Sequence, residues 1–230
     1  ELDLIEYAHP NYIDKPTGIV PNDSYYEDYQ NGLENSNDID IDAETAWQFN
    51  TGSENIRVGV IDFGVDYTNP DLGGSYGSGA PKVKGGYNYK GDNNNPKDIS
   101  ASSHGTACAG IIGALRNNNT GVAGIAGGDP DENNNGVAIY AFKVENDGGF
   151  PIGNVIEAIV DGATPFASGG YGCHVLNYSG GGDNFYPARE YALSFAARMG
   201  VIFVASKGND SNDDYHYPSD LQDNLVISVG

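Results

Sequence analysis

Apolar runs of strand length alternate along this chain with segments whose apolar side chains follow a helical period. The runs predict buried strands at residues 56–62, 82–89, 137–144, 175–178, 201–205 and 225–229. The helical period is clearest in six residues that we assign to the core: Ile152, Val155, Ile156, Ile159, Val160 and Ala163. Strands that alternate with helices predict an α/β fold, in which helices cover both faces of a mainly parallel sheet.

Local end signals predict three more helices. One begins at His104 and ends near residue 115, and another begins at Asp183 or Asn184 with Pro187 and runs to residue 199. A short helix at 41–49 has Asp40 or Asp42 near its cap and Trp47 on its apolar side. The stretch at 15–37 is rich in Pro, Asn, Asp and Tyr, which predicts an irregular surface segment.

The charge balance restricts the partners. The chain has 230 residues and carries 32 acidic against 11 basic side chains, a net charge of −21. Such a surface repels nucleic acid phosphates and anionic membranes, so we expect neither as a partner. It suits a soluble, secreted monomer and attracts divalent cations. Cys108 and Cys173 show no disulfide framework or zinc spacing, so we expect free thiols.

Three polar residues lie at element ends where parallel sheets place their chemistry. Asp62 ends a predicted strand, His104 begins a predicted helix, and Asn209 follows another strand. An acid, a histidine and an amide donor are three of the four parts of an acyl-transfer site. Each alone is more often structural, and only their joint occurrence favours catalysis. His9, His174 and His216 show no partner pattern, so we expect structural roles for them.

Several motifs around these residues resemble those of the subtilisin-like serine proteases. They are Asp62-x-Gly64, the run HGTACAG at 104–110, and Gly208-Asn209, in the Asp, His, Ser chain order of that family. Supporting runs are NPDL at 69–72, GVAGIA at 121–126 and NYSGG at 177–181. The resemblance covers about residues 21–230 and is nearest to the thermitase and proteinase K branches, because Cys108 lies in the histidine helix.

The resemblance implies a three-layer subtilisin-like fold and a serine endopeptidase that cleaves peptides or proteins. In it, His104 exchanges protons with the nucleophile, Asp62 orients His104, and Asn209 donates to the oxyanion. Substrate-binding residues would be Ser179, Gly180, Gly181, Ser206, Lys207 and Gly208. Residues 144–149 would form the opposite strand, so that a peptide adds between two strands.

Two departures from the family pattern concern the substrate site. Phe63 stands where the family has Ser or Thr after the aspartate, so that Asp62 lacks a hydroxyl donor. Lys207 replaces a small residue that lines the primary pocket. We expect either a preference for acidic or polar side chains there, or a flexible stem that points to solvent.

The family's serine lies in a Gly-Thr-Ser-Met-Ala motif beyond the oxyanion asparagine, and these 230 residues contain no such motif. We therefore expect a C-terminally incomplete peptidase domain at 21–230, from a secreted bacterial zymogen. Residues 1–20 resemble the end of a propeptide that acts as an intramolecular inhibitor, joined to a linker. The alternatives are a catalytically inactive fragment, a binding module, or an acidic calcium-binding surface protein.

The resemblance also implies a structural Ca²⁺ ion. Asp23, Asp71 and the side chain of Asn118 match the strong thermitase-type site, which the carbonyls of Leu115, Thr120 and Val122 complete. Such oxygen donors suit calcium. At the family's second site, residues 88–95 have lost most of the acids, so we do not expect an ion there.

Overall fold

The computed structural model describes residues 19–145, 149–221 and 224–230, and it contains one six-stranded sheet in which every pairing is parallel. The sheet order is β2-β3-β1-β4-β5-β6. The strands are β1 Arg57–Asp62, β2 Val83–Asn88, β3 Ala138–Lys143, β4 Val175–Tyr178, β5 Ile202–Ser206 and β6 Ile227–Val229. All six predicted strands are confirmed; β4 has the predicted ends, and the ends of the others are shifted by at most two residues. The proposed propeptide remnant falls almost entirely outside the described residues.

Five helices occur in the described residues, two of them before β1. They are α1 Tyr26–Tyr29, α2 Ala43–Ala46, α3 His104–Gly113, α4 Ile152–Ala163 and α5 Pro187–Arg198. Short 3₁₀ turns lie at Pro70–Leu72, Pro130–Glu132 and Phe166–Ser168. Within the described ranges, none of the helices has the length and apolar character needed to cross a bilayer.

Both faces of the sheet are buried, as the sequence predicted. Along β3, Tyr140 and Phe142 point into the core beneath α4 and α5, whereas Ile139 and Ala141 point into the core beneath α3. This alternation follows from the two-residue period of a strand. The predicted three layers are therefore confirmed.

The structure corrects three local predictions. The helix predicted at 41–49 is reduced to α2, and Asp42 at its cap has a left-handed backbone and makes no capping hydrogen bond. Helix α5 begins at Pro187 after Tyr186, so Asp183 and Asn184 do not cap it. The segment predicted to be irregular contains α1.

Tertiary packing explains that missed helix. Tyr26 of α1 is 5% exposed and packs with Leu33, Trp47 and Ala123 in a third, small core. Trp47 lies on the buried side, as predicted, at 3% exposure. Tyr26 is the one buried residue of α1, and most of the residues that bury it are distant in sequence. A helix with one buried side chain shows no hydrophobic periodicity in its own sequence, so the sequence analysis did not predict it.

Candidate active site

Asp62 and His104 are in direct contact at the carboxyl end of β1. Nδ1 of His104 lies 2.8 Å from each carboxylate oxygen of Asp62. Asp62 is fully buried, while 44% of the His104 side chain is exposed. The contact requires glycine after the histidine, because a Cβ on Gly105 would lie 2.1 Å from the carbonyl oxygen of Gly64. The sequence pattern therefore brings these two predicted residues together.

Hydrogen bonds affect the pKa of Asp62 and select the tautomer of His104. Burial raises the pKa of Asp62, whereas the hydrogen bonds from His104 and from the backbone N–H of Phe63 oppose that rise. A carboxylate at Nδ1 selects the tautomer with the proton on Nδ1, which leaves Nε2 as an acceptor. Nε2 makes no hydrogen bond to any residue that the structure describes. The exposed edge of the ring is thus free to accept a proton.

Phe63 contributes an aromatic wall in place of the family's hydroxyl. Its backbone N–H lies 2.8 Å from Oδ1 of Asp62, so the carboxylate still receives a donor from this residue. Its ring lies 6.2 Å from the His104 ring and 4.9 Å from the Phe150 ring, measured between centroids. The departure at residue 63 therefore adds apolar surface beside the histidine.

Cys108 lies one helical turn after His104 and faces the same site. Its Sγ is 4.0 Å from Nδ1 of His104 and 3.5 Å from Oγ of Ser179. Burial raises the pKa of the Cys108 thiol, so it stays protonated at neutral pH. Cys108 and Cys173 are both free, as predicted. The Cys108 contact joins α3 to the segment that follows β4.

The predicted substrate-binding glycines form one side of a groove beside Phe63. We call it the aromatic groove; it has a volume of about 600 Å³. A Cβ on Gly180 would lie 2.7 Å from the Phe150 ring, so the absence of a side chain at Gly180 lets that ring pack directly against the backbone. Its aromatic and charged lining residues are Phe63, Phe150, Tyr178, Tyr186 and Arg189. The proposed opposite strand at 144–149 lies partly outside the described residues.

The loop after β5 contains the other predicted binding residues. Ser206 ends β5, and Nζ of Lys207 forms an ion pair with Oδ1 of Asp220 at 3.0 Å. The Lys207 side chain is 49% exposed in this ion pair, and both sequence interpretations of its role stay predictions. Asn209 is exposed beside Gly208, and its side chain makes no hydrogen bond within the described chain. The structure does not join it to Asp62 or His104 by a hydrogen bond, so its role stays a prediction.

His216 lies among the predicted substrate-binding residues, a position that the sequence analysis did not foresee. Its ring lies between two predicted substrate-binding segments, because a Cβ on Gly181 would be 2.2 Å from the ring and one on Gly208 3.2 Å from it. Its backbone N–H donates to Asp220 at 2.7 Å. No local signal marks such a residue, since only the fold brings the three segments together.

The predicted calcium ligands are grouped around two buried carboxylates. Asp71 accepts hydrogen bonds from Nδ2 of Asn118 at 2.9 Å and from the backbone N–H of Val122 at 2.8 Å. Oδ2 of Asp23 accepts from the backbone N–H of Asn117 at 2.9 Å. Oδ1 of Asp23 is buried and has no partner among the described residues. The amide Nδ2 of Asn118 faces Asp71, while its Oδ1 accepts from the backbone N–H of Thr120 at 2.7 Å and keeps a second lone pair for a cation.

This donor set fits a hard cation. Burial raises the pKa of Asp23 and of Asp71, and the charge of Asp23 raises that of Asp71 further. The carbonyls of Leu115, Thr120 and Val122 accept no hydrogen bond from the described residues. Buried carboxylates with an unpartnered oxygen are costly without a counter-charge. A cation of the calcium type would offset that cost.

The fold and this site define a class: α/β proteins that hold a buried aspartate against a histidine at the carboxyl end of a parallel strand. Comparison with known proteins then gives the family. The model described as Peptidase_S8, Subtilase family, matches residues 53–230. The chain belongs to the subtilase family, which confirms the predicted resemblance.

Individual proteases are similar to the chain in sequence or in structure. The chain is 34% identical over 227 residues to a thermophilic serine proteinase of Bacillus sp. strain AK1, covering 99% of this chain and 49% of the relative. It is 30% identical over 209 residues to thermitase of Thermoactinomyces vulgaris, covering 91% and 65%. A solved structure, described as proteases from Pseudoalteromonas arctica PAMC 21717, shares the fold with a TM-score of 0.67 at 22% identity, covering 90% of this chain and 64% of that chain. The chain thus spans about half to two thirds of the length of these relatives.

Proposed function

We propose that this chain is part of a serine endopeptidase that hydrolyses peptide bonds. The observation that carries the proposal is the contact of buried Asp62 with the half-exposed ring of His104 at the carboxyl end of β1. Membership of the subtilase family supports it. The nucleophile would be a serine of the family's motif, which these 230 residues do not contain.

In the proposed reaction, Nε2 of His104 accepts the proton of the serine hydroxyl as that oxygen attacks the peptide carbonyl. Asp62 holds the Nδ1–H tautomer and stabilises the imidazolium that forms. His104 then gives the proton to the leaving amine. Asn209 lies in an exposed loop and its side-chain amide has no partner among the described residues, which suits donation to the oxyanion.

The substrate would bind as an extended peptide along the glycine segments. Ser179, Gly180 and Gly181 follow β4, and Ser206, Lys207 and Gly208 end or follow the neighbouring β5. Glycine leaves the backbone groups of such segments open to an added strand. The ring of His216 between the two segments would then shape the primary pocket.

The test is labelling by a fluorophosphonate, which reacts with an activated serine, read by intact mass on the protein that contains this chain. Labelling is expected, and His104→Ala and Asp62→Asn should lower its rate about a hundredfold or more, because each removes proton transfer or its orientation. Asp131→Asn is the control, since Asp131 is an exposed carboxylate in a 3₁₀ turn.

Full labelling of the His104→Ala variant would contradict the assigned role of His104. A correctly folded protein that never labels would favour the alternative of a catalytically inactive binding module. The two results differ because the first leaves a reactive serine and the second shows none.

We further propose a structural Ca²⁺ held by Asp23, Asp71 and Asn118 with the carbonyls of Leu115, Thr120 and Val122. The supporting observation is the buried, unpartnered Oδ1 of Asp23 beside a second buried carboxylate. When bound, the ion would neutralise the repulsion between the carboxylates and fix the loop after α3 to the N-terminal segment. It would take no part in peptide hydrolysis.

From the same family membership we also propose that the protein is exported and that it is activated from a zymogen. We propose in addition that the chain divides into residues 1–20 and 21–230. Both curated relatives named above come from bacteria. N-terminal sequencing of the protein isolated from the culture medium would locate the mature start. A mature start far from residue 21 would contradict the proposed division.

A further inference from the structure

Arg189 is a buried cation at the aromatic groove. It lies in the first turn of α5 and is only 4% exposed. Its Nη2 donates to the carbonyl oxygen of Asn184 at 3.3 Å, and its guanidinium carbon lies 5.6 Å from the centre of the Tyr186 ring. A guanidinium has five N–H donors. Within the described residues the remaining donors of Arg189 have no partner.

No carboxylate of the described chain forms an ion pair with Arg189. The other deeply buried arginine, Arg116, is paired with Asp129 at 2.6 Å. Unlike Nη1 of Arg116, the unpaired nitrogens of Arg189 are not sealed from solvent. Arg189 is one of the residues that line the aromatic groove. Burial lowers the pKa of Arg189, which reflects the cost of a desolvated charge without a counter-charge.

The groove reaches the proposed catalytic histidine. Phe63 lines the groove and also contacts the His104 ring edge-on, at 6.2 Å between centroids. Gly180 and Gly181 line it too, and these are the residues along which we place the substrate backbone. A side chain of a bound peptide therefore has a direct way into the groove.

We propose that Arg189 determines specificity by binding an acidic side chain of the peptide substrate in the aromatic groove. The inference rests on the proposed function, and it adds the substrate class. A carboxylate can accept two parallel hydrogen bonds from a guanidinium, and it supplies the missing counter-charge. The rings of Phe63 and Phe150 would pack against the aliphatic part of a Glu or Asp side chain.

The charge of the whole molecule makes this preference easy to recognise. At a net charge of −21 the surface disfavours acidic peptides at most positions. Only the peptide position that reaches Arg189 should reverse that tendency. Because the pair would be buried, added salt should weaken the general repulsion much more than the local preference.

The experiment measures binding of fluorescent peptides by anisotropy, using the protein with His104→Ala to prevent turnover. Each position of one peptide is changed in turn to Glu and to Gln. At one position, Glu is expected to bind about tenfold more tightly than Gln, in line with a charge-assisted hydrogen bond. Arg189→Met should reduce that ratio to about 1, mainly by weakening the binding of the Glu peptide.

Two variants provide the controls. Arg198→Met removes the same charge from the exposed last turn of α5 and should keep the preference. Arg189→Lys keeps a charge and should retain part of it. Arg189→Met should fold at least as stably as the unmodified protein, because an unpaired buried charge is replaced by an apolar chain of similar length.

A preference for Glu that survives Arg189→Met, or no preference at any position, would overturn the proposal while leaving the proposed function intact. Failure of all peptides to bind, Gln and Glu alike, would instead overturn the proposed function and the inference with it. A loss of stability in Arg189→Met with an unchanged peptide ratio would assign Arg189 a purely structural role.

Discussion

Lys82, just before β2, is a side chain whose chemistry the fold changes. It is fully buried, and its Nζ donates to the carbonyl oxygens of Asn135 and Val137. Burial lowers the pKa of Lys82 to about 7. The sequence around it reads as an ordinary strand start, so nothing local predicts this shift.

The stability of the protein should therefore depend on pH through Lys82. Unfolding restores its ordinary pKa of 10.5, so between pH 7 and 10.5 the unfolded chain binds more protons than the folded one. The free energy of unfolding should rise with pH in this window, by up to about 1.4 kcal/mol per pH unit. Urea unfolding at pH 7 and pH 9, compared with Lys82→Met, isolates the contribution.

The comparison cancels the other titrating groups, since both proteins share them. The stability advantage of the unmodified protein over Lys82→Met should grow between the two pH values. A difference that stays constant would mean that Lys82 keeps its charge on folding.

At the scale of elements, helix α4 packs closely on the sheet because of two glycines. A Cβ on Gly162 of α4 would lie 2.8 Å from Leu176, and one on Gly59 of β1 would lie 2.5 Å from the same side chain. Leu176 itself is fully buried. The distance between helix and strand is therefore set by the absence of side chains at these positions.

Two alanine substitutions in α4 should have opposite effects. Gly162→Ala overpacks the core and should destabilise the protein by about 1–3 kcal/mol. Gly153→Ala has open space around its Cβ and should stabilise it by about 0.5–1 kcal/mol through helix propensity. Thermal unfolding of both variants measures the two changes in stability. Equal effects of the same sign would show that helix propensity, and not packing against Leu176, dominates at residue 162.

For the whole molecule, the acidic surface makes cations the natural stabilising ligands. We expect Ca²⁺ to raise the midpoint of thermal unfolding, by the linkage between binding and folding, and EDTA to reverse the effect. Asp23→Ala should abolish the calcium response because it removes the carboxylate with the unpartnered oxygen. Asp131→Asn, an exposed position, should keep it.

Ionic strength must be matched with NaCl, because any salt screens a net charge of −21. A calcium response that NaCl reproduces in full would mean screening alone, and would contradict the proposed site. A response that persists in Asp23→Ala would place the ion elsewhere.

The sequence alone determined the six strands, the helices α3, α4 and α5, and the burial of both sheet faces. This was possible because the spacing of hydrophobic residues within a short segment reflects which of its sides are buried. It also identified Asp62 and His104, since strand ends and a helix start mark where parallel sheets present side chains. These features depend on short runs of residues, and the structure brings the two side chains together as expected.

Only the tertiary structure decided which distant residues meet. Contacts between separate loops and helices place His216 between two glycine segments and pair Lys207 with Asp220. They also place Arg189 at the groove, where no described carboxylate pairs with it. The helix α1 and the pKa of Lys82 depend on burial by residues far along the chain. Such effects arise from packing and desolvation, which exist only once the chain has folded.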